Sequence, residues 1–281
     1  MKILKNLCIF ICLTMVFQNI SYAENQLGLT DTQLIKKTKK LDKKIDKNPD
    51  KSKLYLERGF YRFLLKDYGS ALEDYNKAEE LTPNDSDIFY SRGRVWFERK
   101  NYISAIEDFN KALELNPKDS KVYLSRGLAK DAQGNLNGAI NDFDSAIQYD
   151  KRNRSAYVNR GITRVKQGKN AGAISDFKKA VKLSKKYSPD AYYNLGLVKC
   201  RQNEYKEGIE FFTKAIEQNP KYSQAYYQRG LAYLKLDNQQ FAKADFEMAY
   251  QLSPDNKKIK EDLDNVKKYL NDLLEEEEIC Y

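Results

Sequence analysis

Five arginines stand immediately before a glycine, and each is followed sixteen residues later by an aspartate: Arg58 with Asp74, Arg92 with Asp108, Arg126 with Asp142, Arg160 with Asp176 and Arg229 with Asp245. A guanidinium and a carboxylate brought together form either a bidentate ion pair or a catalytic pair. Five equivalent active sites in one chain would be an odd arrangement, so the pairs are expected to be structural, tying one helix to the next. One place tests that reading within the sequence. Where Leu195 takes the place of the arginine, Phe211 takes the place of the aspartate, as if an apolar contact substituted for the ion pair.

Little other chemistry is available. The chain has no histidine, which removes imidazole acid-base catalysis and most zinc or iron sites. It carries no phosphate-binding glycine loop, nucleotide fingerprint or nucleophile elbow. The remaining carboxylates follow a repeat pattern or fall on solvated helix faces. No catalytic residue, cofactor site or metal site is expected, and the chain is read as not an enzyme.

The elements that position these residues recur. Gly59, Gly93, Gly127, Gly161, Gly196 and Gly230 are spaced by 34, 34, 34, 35 and 34 residues. A small residue follows each at twelve (Ala71, Ala105, Ala139, Ala173, Gly208, Ala242) and an aromatic at sixteen (Tyr75, Phe109, Phe143, Phe177, Phe212, Phe246). A period of this length signals stacked helical hairpins. Glycine inside a helix costs roughly 1 kcal/mol relative to alanine, so close approach of the paired helix must require it: small faces small, and the aromatics fill the interior between hairpins. Pro83, Pro117, Pro220 and Pro254 end second helices, and Ser52, Ser86, Ser120 and Ser223 stand where the next helix needs an N-cap. The extra residue of the fourth repeat is absorbed by Ser188 as N-cap with Pro189 first in the helix.

With each glycine at position 8, the repeats run 52–85, 86–119, 120–153, 154–188, 189–222 and 223–256. The last reads Tyr226, Arg229-Gly230, Tyr233, Ala242, Phe246, Ala249, Pro254. In this combination, six times over, the chain resembles the tetratricopeptide repeat (TPR) family across 52–256. The resemblance implies an all-α fold, a right-handed α-solenoid of stacked antiparallel helix pairs, with first helices lining a concave groove. It implies that positions 5, 9 and 12 point inward. These read Leu56, Phe60 and Phe63; Tyr90, Arg94 and Phe97; Leu124, Leu128 and Asp131; Val158, Ile162 and Val165; Tyr193, Leu197 and Cys200; and Tyr227, Leu231 and Leu234. The apolar members and Arg94 form a candidate groove for a protein or peptide partner, a tyrosine-studded trough with few charges. The alternative is that they pack against adjacent first helices or are covered by a terminal segment. Family members that clamp a C-terminal carboxylate carry Lys at position 5 with Asn at position 9; no repeat here does, so that mode is not expected.

The flanks differ from the repeats. Lys2 and Lys5 precede an apolar run from Leu7 to Phe17, and Ser21-Tyr22-Ala23 offers a cleavage site, so 1–23 is read as a signal peptide. The run is short for a membrane span of about 20 residues, though an uncleaved anchor is the alternative. The mature protein is expected in the periplasm or outside the cell. Losing Lys2 and Lys5 and no acid takes the formal net charge from +9 to +7. A Lys-rich leader, 24–51, has nine lysines against four aspartates between Asp31 and Lys53, with Leu34, Thr38, Leu41 and Ile45 on one helical stripe that favours packing on the first repeat. After the repeats, 257–274 should be a capping helix through Ile259, Leu263, Val266, Leu270 and Leu273, and 275–281 an acidic tail. Of four cysteines, Cys200 and Cys280 survive cleavage. A disulfide between them is within reach of the tail, with separate thiols or an intermolecular bond as alternatives.

The expectation is an exported, non-catalytic adaptor holding a partner polypeptide in its groove, and the resemblance to envelope proteins of the family implies a place in the cell envelope. Nucleic acid is not expected as a partner. Two other readings stand beside it: self-association into a homo-oligomer, and charge-driven contact of the Lys-rich leader with anionic membrane lipid or cell-wall polymer.

Overall fold

The computed structural model describes residues 28–184 and 187–279, with side chains to residue 272. The proposed signal peptide, and Cys280 with the end of the tail, lie outside the described residues. Fourteen helices and no strand occur among the described residues: α1 (Asp31–Ile45), α2 (Ser52–Leu64), α3 (Tyr68–Leu81), α4 (Ser86–Glu98), α5 (Tyr102–Leu115), α6 (Ser120–Ala132), α7 (Leu136–Tyr149), α8 (Arg154–Lys166), α9 (Asn170–Ser184), α10 (Pro189–Arg201), α11 (Tyr205–Gln218), α12 (Ser223–Lys235), α13 (Gln239–Leu252) and α14 (Lys257–Ile279). They fall into two compact units, one ending at Gln167 and the other beginning at Gly168, so the division lies between the two helices of the fourth repeat. In the first unit α2/α3, α4/α5 and α6/α7 are antiparallel pairs, and each second helix also packs on the next first helix; in the second unit α10/α11 and α12/α13 do the same.

The hairpin turn has one device in every repeat. A residue with positive φ sits just before the second helix: Lys66 (60°), Lys100 (60°), Gly134 (88°), Gly168 (76°), Asn203 (62°) and Asp237 (55°). Asp67, Asn101 and Asn135 then cap the helix, accepting from the amides of Ser70 (3.3 Å), Ser104 (3.2 Å) and Gly138 (2.9 Å). A lysine in the left-handed region costs about 1 kcal/mol that glycine does not. Lys100→Gly is therefore expected to raise stability by about 1 kcal/mol, and Gly134→Lys to lower it similarly; unchanged urea midpoints in both would show that the turn relaxes instead.

The first helices start one residue earlier in the cap than the sequence suggested. Asp85 and Asp119 are the N-caps of α4 and α6, accepting from the amides of Asp87 and of Lys121 and Val122. Lys51 and Tyr222 occupy that place at α2 and α12. Ser52, Ser86, Ser120 and Ser223 are instead the first helical residues. Three of these hydroxyls donate across the hairpin: Ser52 to the Ala78 carbonyl (3.1 Å), Ser120 to Ala146 (2.8 Å) and Ser223 to Ala249 (2.9 Å). In these three repeats they tie the start of the first helix to the last turn of the second, each adding a second donor to a carbonyl that already accepts from the amide four residues on. Ser188 does stand at the N-cap position of α10, with Pro189 as the first helical residue, but its side chain makes no capping hydrogen bond.

The close approach at the repeated glycines has a nearer partner besides the one expected. A Cβ on Gly59, Gly127 or Gly196 would meet the ring of Tyr75, Phe143 or Phe212 at 2.6 Å, and one on Gly93 the Phe109 ring at 2.7 Å. The glycine makes room first for the buried aromatic of its own repeat, and the small residue four positions before that aromatic also comes close: the Ala105 carbonyl would lie 3.2 Å from a Cβ on Gly93 and the Ala242 carbonyl 3.3 Å from one on Gly230. At the ends, α1 packs on α2 through Leu34, Leu41 and Ile45. Helix α14 packs on α13 with Ile259, Leu263 and Val266 buried, and it continues through the acidic block to Ile279. Glutamate is a good helix former and no glycine or proline intervenes, so nothing stops the helix at 274.

Candidate functional site

Four of the arginine–aspartate pairs lie within one unit or the other, and all four are bidentate. Nε and Nη2 of the arginine reach the two carboxylate oxygens at 3.0 and 2.6 Å for Arg58–Asp74, 2.9 and 2.8 Å for Arg92–Asp108, 3.0 and 2.7 Å for Arg126–Asp142, and 2.8 and 2.8 Å for Arg229–Asp245. Arg160 and Asp176 belong to different units, and their pairing stands as the expectation drawn from sequence. Burial pushes Asp74, Asp108 and Asp245 up from the ordinary carboxylate range, against the pull of their arginines. Asp74 and Asp142 each take a second cation, Arg62 at 2.9 Å and Lys130 at 2.8 Å.

Each arginine does two further things that the spacing alone did not reveal. Its guanidinium lies over an aromatic three residues earlier: Tyr55, Phe89, Tyr123, Tyr157 and Tyr226, at 5.4–5.6 Å. It also reaches sixteen residues back, to the preceding second helix. Arg58 bonds Asp42 (2.7 Å), Arg92 bonds Asn76 (2.9 Å), Arg126 bonds Asn110 (2.7 Å), Arg160 bonds Asp144 and Arg229 bonds Thr213 (2.9 Å). One guanidinium thus joins three helices. In the fifth repeat Leu195 is buried, and Phe211 stacks on Tyr192, the residue that would otherwise lie under the arginine (6.5 Å, 25°). The aromatic at minus three and the acceptor at minus sixteen recur in the sequence and could have been found there.

The first helices form an adjoining row within each unit, α2–α4–α6–α8 and α10–α12. None of the sixteen candidate groove residues is fully exposed. Phe63, Phe97, Leu128, Val158, Ile162, Tyr193 and Tyr227 are buried and belong to the core, a correction to their placement on an open surface. Tyr193 packs on Phe212 and Tyr222 with ring centroids 5.8 and 5.1 Å away. The Tyr227 hydroxyl donates to Asp262 on α14 at 2.6 Å, so the capping helix covers it. Leu56, Phe60, Tyr90, Arg94, Leu124, Val165, Leu197, Leu231 and Leu234 remain half-buried.

Charge is also more prominent along this row than the apolar pattern suggested. Asp131 is buried; it accepts from the Thr163 hydroxyl (2.8 Å) and pairs with Lys166, joining α6 to α8. The Arg94 guanidinium sits over the rings of Phe63 (4.8 Å) and Tyr90 (5.8 Å), and burial lowers its pKa. One turn on, burial pushes Glu98 up, with Arg94 and Lys66 pulling the other way. Because the native state then binds this proton more tightly than the unfolded chain, the ionised carboxylate costs stability as pH rises through its titration. Glu98→Gln is accordingly expected to raise the urea midpoint at pH 7 and to leave it unchanged well below the ordinary glutamate value of 4.5. A loss at pH 7 would mean that pairing outweighs burial at Glu98.

Cys200 is half-buried, and a Cβ on Gly208 of α11 would meet its Sγ. The thiol therefore faces the second helix of its own repeat. Among the described residues no group of three or more metal-ligating side chains could hold an ion, and no helix is long and apolar enough to cross a membrane.

Tetratricopeptide-repeat family models match residues 47–85, 86–119, 189–222 and 211–245, and a TPR-repeat model matches 161–202. No curated protein matches the chain. Among solved structures, a tetratricopeptide repeat protein from Parabacteroides merdae superposes with a TM-score of 0.66 at 19% identity, covering 89% of this chain and 96% of that one. The APC/C hetero-tetramer Cut9–Hcn1 gives a TM-score of 0.68 at 17% identity over 84% of this chain, which spans 46% of the length of that one. YrrB, described as a TPR protein with an unusual peptide-binding site, gives 0.51 at 21% identity over 65% of this chain and 93% of that one. At these identities the likeness is one of fold, and proteins of this fold generally serve as non-catalytic scaffolds for protein or peptide partners. The stacked helix pairs and family-model matches over more than half of the chain together make it a member of the tetratricopeptide repeat family.

Proposed function

We propose that this protein is an exported, non-catalytic adaptor of the cell envelope that holds an extended partner polypeptide against its first helices in the first unit. The observation that carries the reading is the half-buried row Leu56, Phe60, Tyr90, Arg94 and Leu124 on the adjoining helices α2, α4 and α6. Apolar side chains left partly exposed on neighbouring helices offer contact area to a partner at little further ordering cost, and a tyrosine and an arginine among them are the residue types that anchor interfaces. YrrB, of similar fold, is described as having a peptide-binding site, which supports a peptide partner by analogy. Export rests on the layout of residues 1–23.

The test is capture from an envelope fraction by wild-type protein and by a Leu56→Ser, Phe60→Ala, Leu124→Ser variant whose helicity is unchanged. A partner retained by the first and lost by the second supports the site; identical partner lists reject it. Intact-mass analysis of the secreted form checks export separately, with an N-terminus at Glu24 expected.

A further inference from the structure

Helix α1 is in register with the second helices of the repeats, although no first helix of its own precedes it among the described residues. Asp42 accepts from Arg58 as Asn76 does from Arg92 and Asn110 from Arg126, one period later each time. Pro49 follows α1 at the place that Pro83 follows α3. The face of α3 that receives its partner carries Ala71, Asp74 and Ala78, all buried. The same three places on α1 are Lys37, Lys40 and Lys44, with Lys40 and Lys44 exposed. Lys37 is half-buried, its Nζ over the Tyr61 ring at 5.1 Å. Three lysines where a complete repeat packs helix on helix leave this end unsuited to receiving one.

These lysines belong to a wider basic face. At about 100° per residue, residues two and five positions from a buried one lie on the opposite side of the helix. Lys36, Lys40 and Lys43 stand there relative to buried Leu34, Leu41 and Ile45, with Lys39 and Lys44 on either flank, and all five are exposed. The two acids of α1, Asp31 and Asp42, lie on other faces, and Asp42 is engaged by Arg58. The result is a predominantly positive, convex strip of five exposed lysines, with exposed Asp46 at the C-cap beside its Lys39 flank, and α1 carries no aromatic with which to select a base or a peptide side chain.

We propose that the exposed lysine face of α1 docks on the anionic surface of a lipid bilayer. A strip of this kind matches a flat, delocalised negative charge, and each lysine near such a surface strengthens binding by about fivefold. This contact is separate from the first-helix row and does not depend on a peptide partner there.

The experiment is co-sedimentation of the full chain with phosphatidylcholine vesicles and with vesicles containing about one-third phosphatidylglycerol, at low and high salt. Two variants accompany it: Lys36, Lys40, Lys43 and Lys44 all to Gln, and a control with Lys118, Lys121, Lys151 and Lys206 all to Gln. All eight side chains are exposed, so both variants should fold as wild type does. Binding to the anionic vesicles alone is expected, weakened by about tenfold or more in the first variant and by high salt, and far less affected in the control. Equal binding to phosphatidylcholine, equal losses in both variants, or no binding at all would overturn the proposal. So would displacement by soluble polyphosphate at equal phosphate concentration, which would make the ligand a soluble polyanion.

Discussion

Replacing Asp142 with alanine is expected to destabilise the protein by about 3–5 kcal/mol, because it strands two cations in a largely desolvated place. Asp142 accepts from Arg126 through both oxygens and pairs with Lys130 at 2.8 Å; its side chain is 4% exposed, and those of the two cations 18% and 20%. Removing Arg126 alone should cost less, since Lys130 still neutralises the carboxylate. Replacing all three together with apolar residues of similar volume should cost least, because no buried charge is left without a partner. Urea unfolding of the three variants reads the order directly. If the triple variant loses as much as Asp142→Ala, the network is contributing net attraction, and the fifth repeat, with Leu195 and Phe211, is not its apolar equivalent.

Alanine in place of Gly127 should cost about 1–3 kcal/mol by overpacking. The new methyl would sit 2.6 Å from the Phe143 ring, which is fully buried and has nowhere to go. The same substitution at Gly69 should have the opposite sign. That glycine lies in the first turn of α3 with nothing within 4 Å of its Cβ position, so alanine gains up to about 1 kcal/mol of helix propensity. A stabilised Gly127→Ala would mean that the α6/α7 pair opens without strain.

Much of this was legible in the chain because six repeats write the same interactions five or six times over. The Arg-to-Asp spacing of sixteen names the helix pair, and its joint loss at Leu195 and Phe211 identifies the pair as a contact. Two of the serines were misplaced because Asp and Ser stand side by side at the starts of α4 and α6, both of them capping residues. Which of them caps depends on a carbonyl at the far end of the hairpin, 26 residues away for the Ser120 hydroxyl. The bridge of Asp131 to Thr163 and Lys166 was missed because no repeat but the third and fourth carries it, and it forms only where α6 lies beside α8.

The sequence by itself determined the helices, their pairing and the family, since period, turn chemistry and paired substitutions are local facts repeated along the chain. Only the tertiary structure decided which apolar side chains are core and which remain in contact with water. Position 5 is Tyr227 in the sixth repeat and Leu124 in the third. The first is buried beneath α14 and the second half-open, because burial depends on which neighbouring helix reaches over a residue and not on the residue's own type.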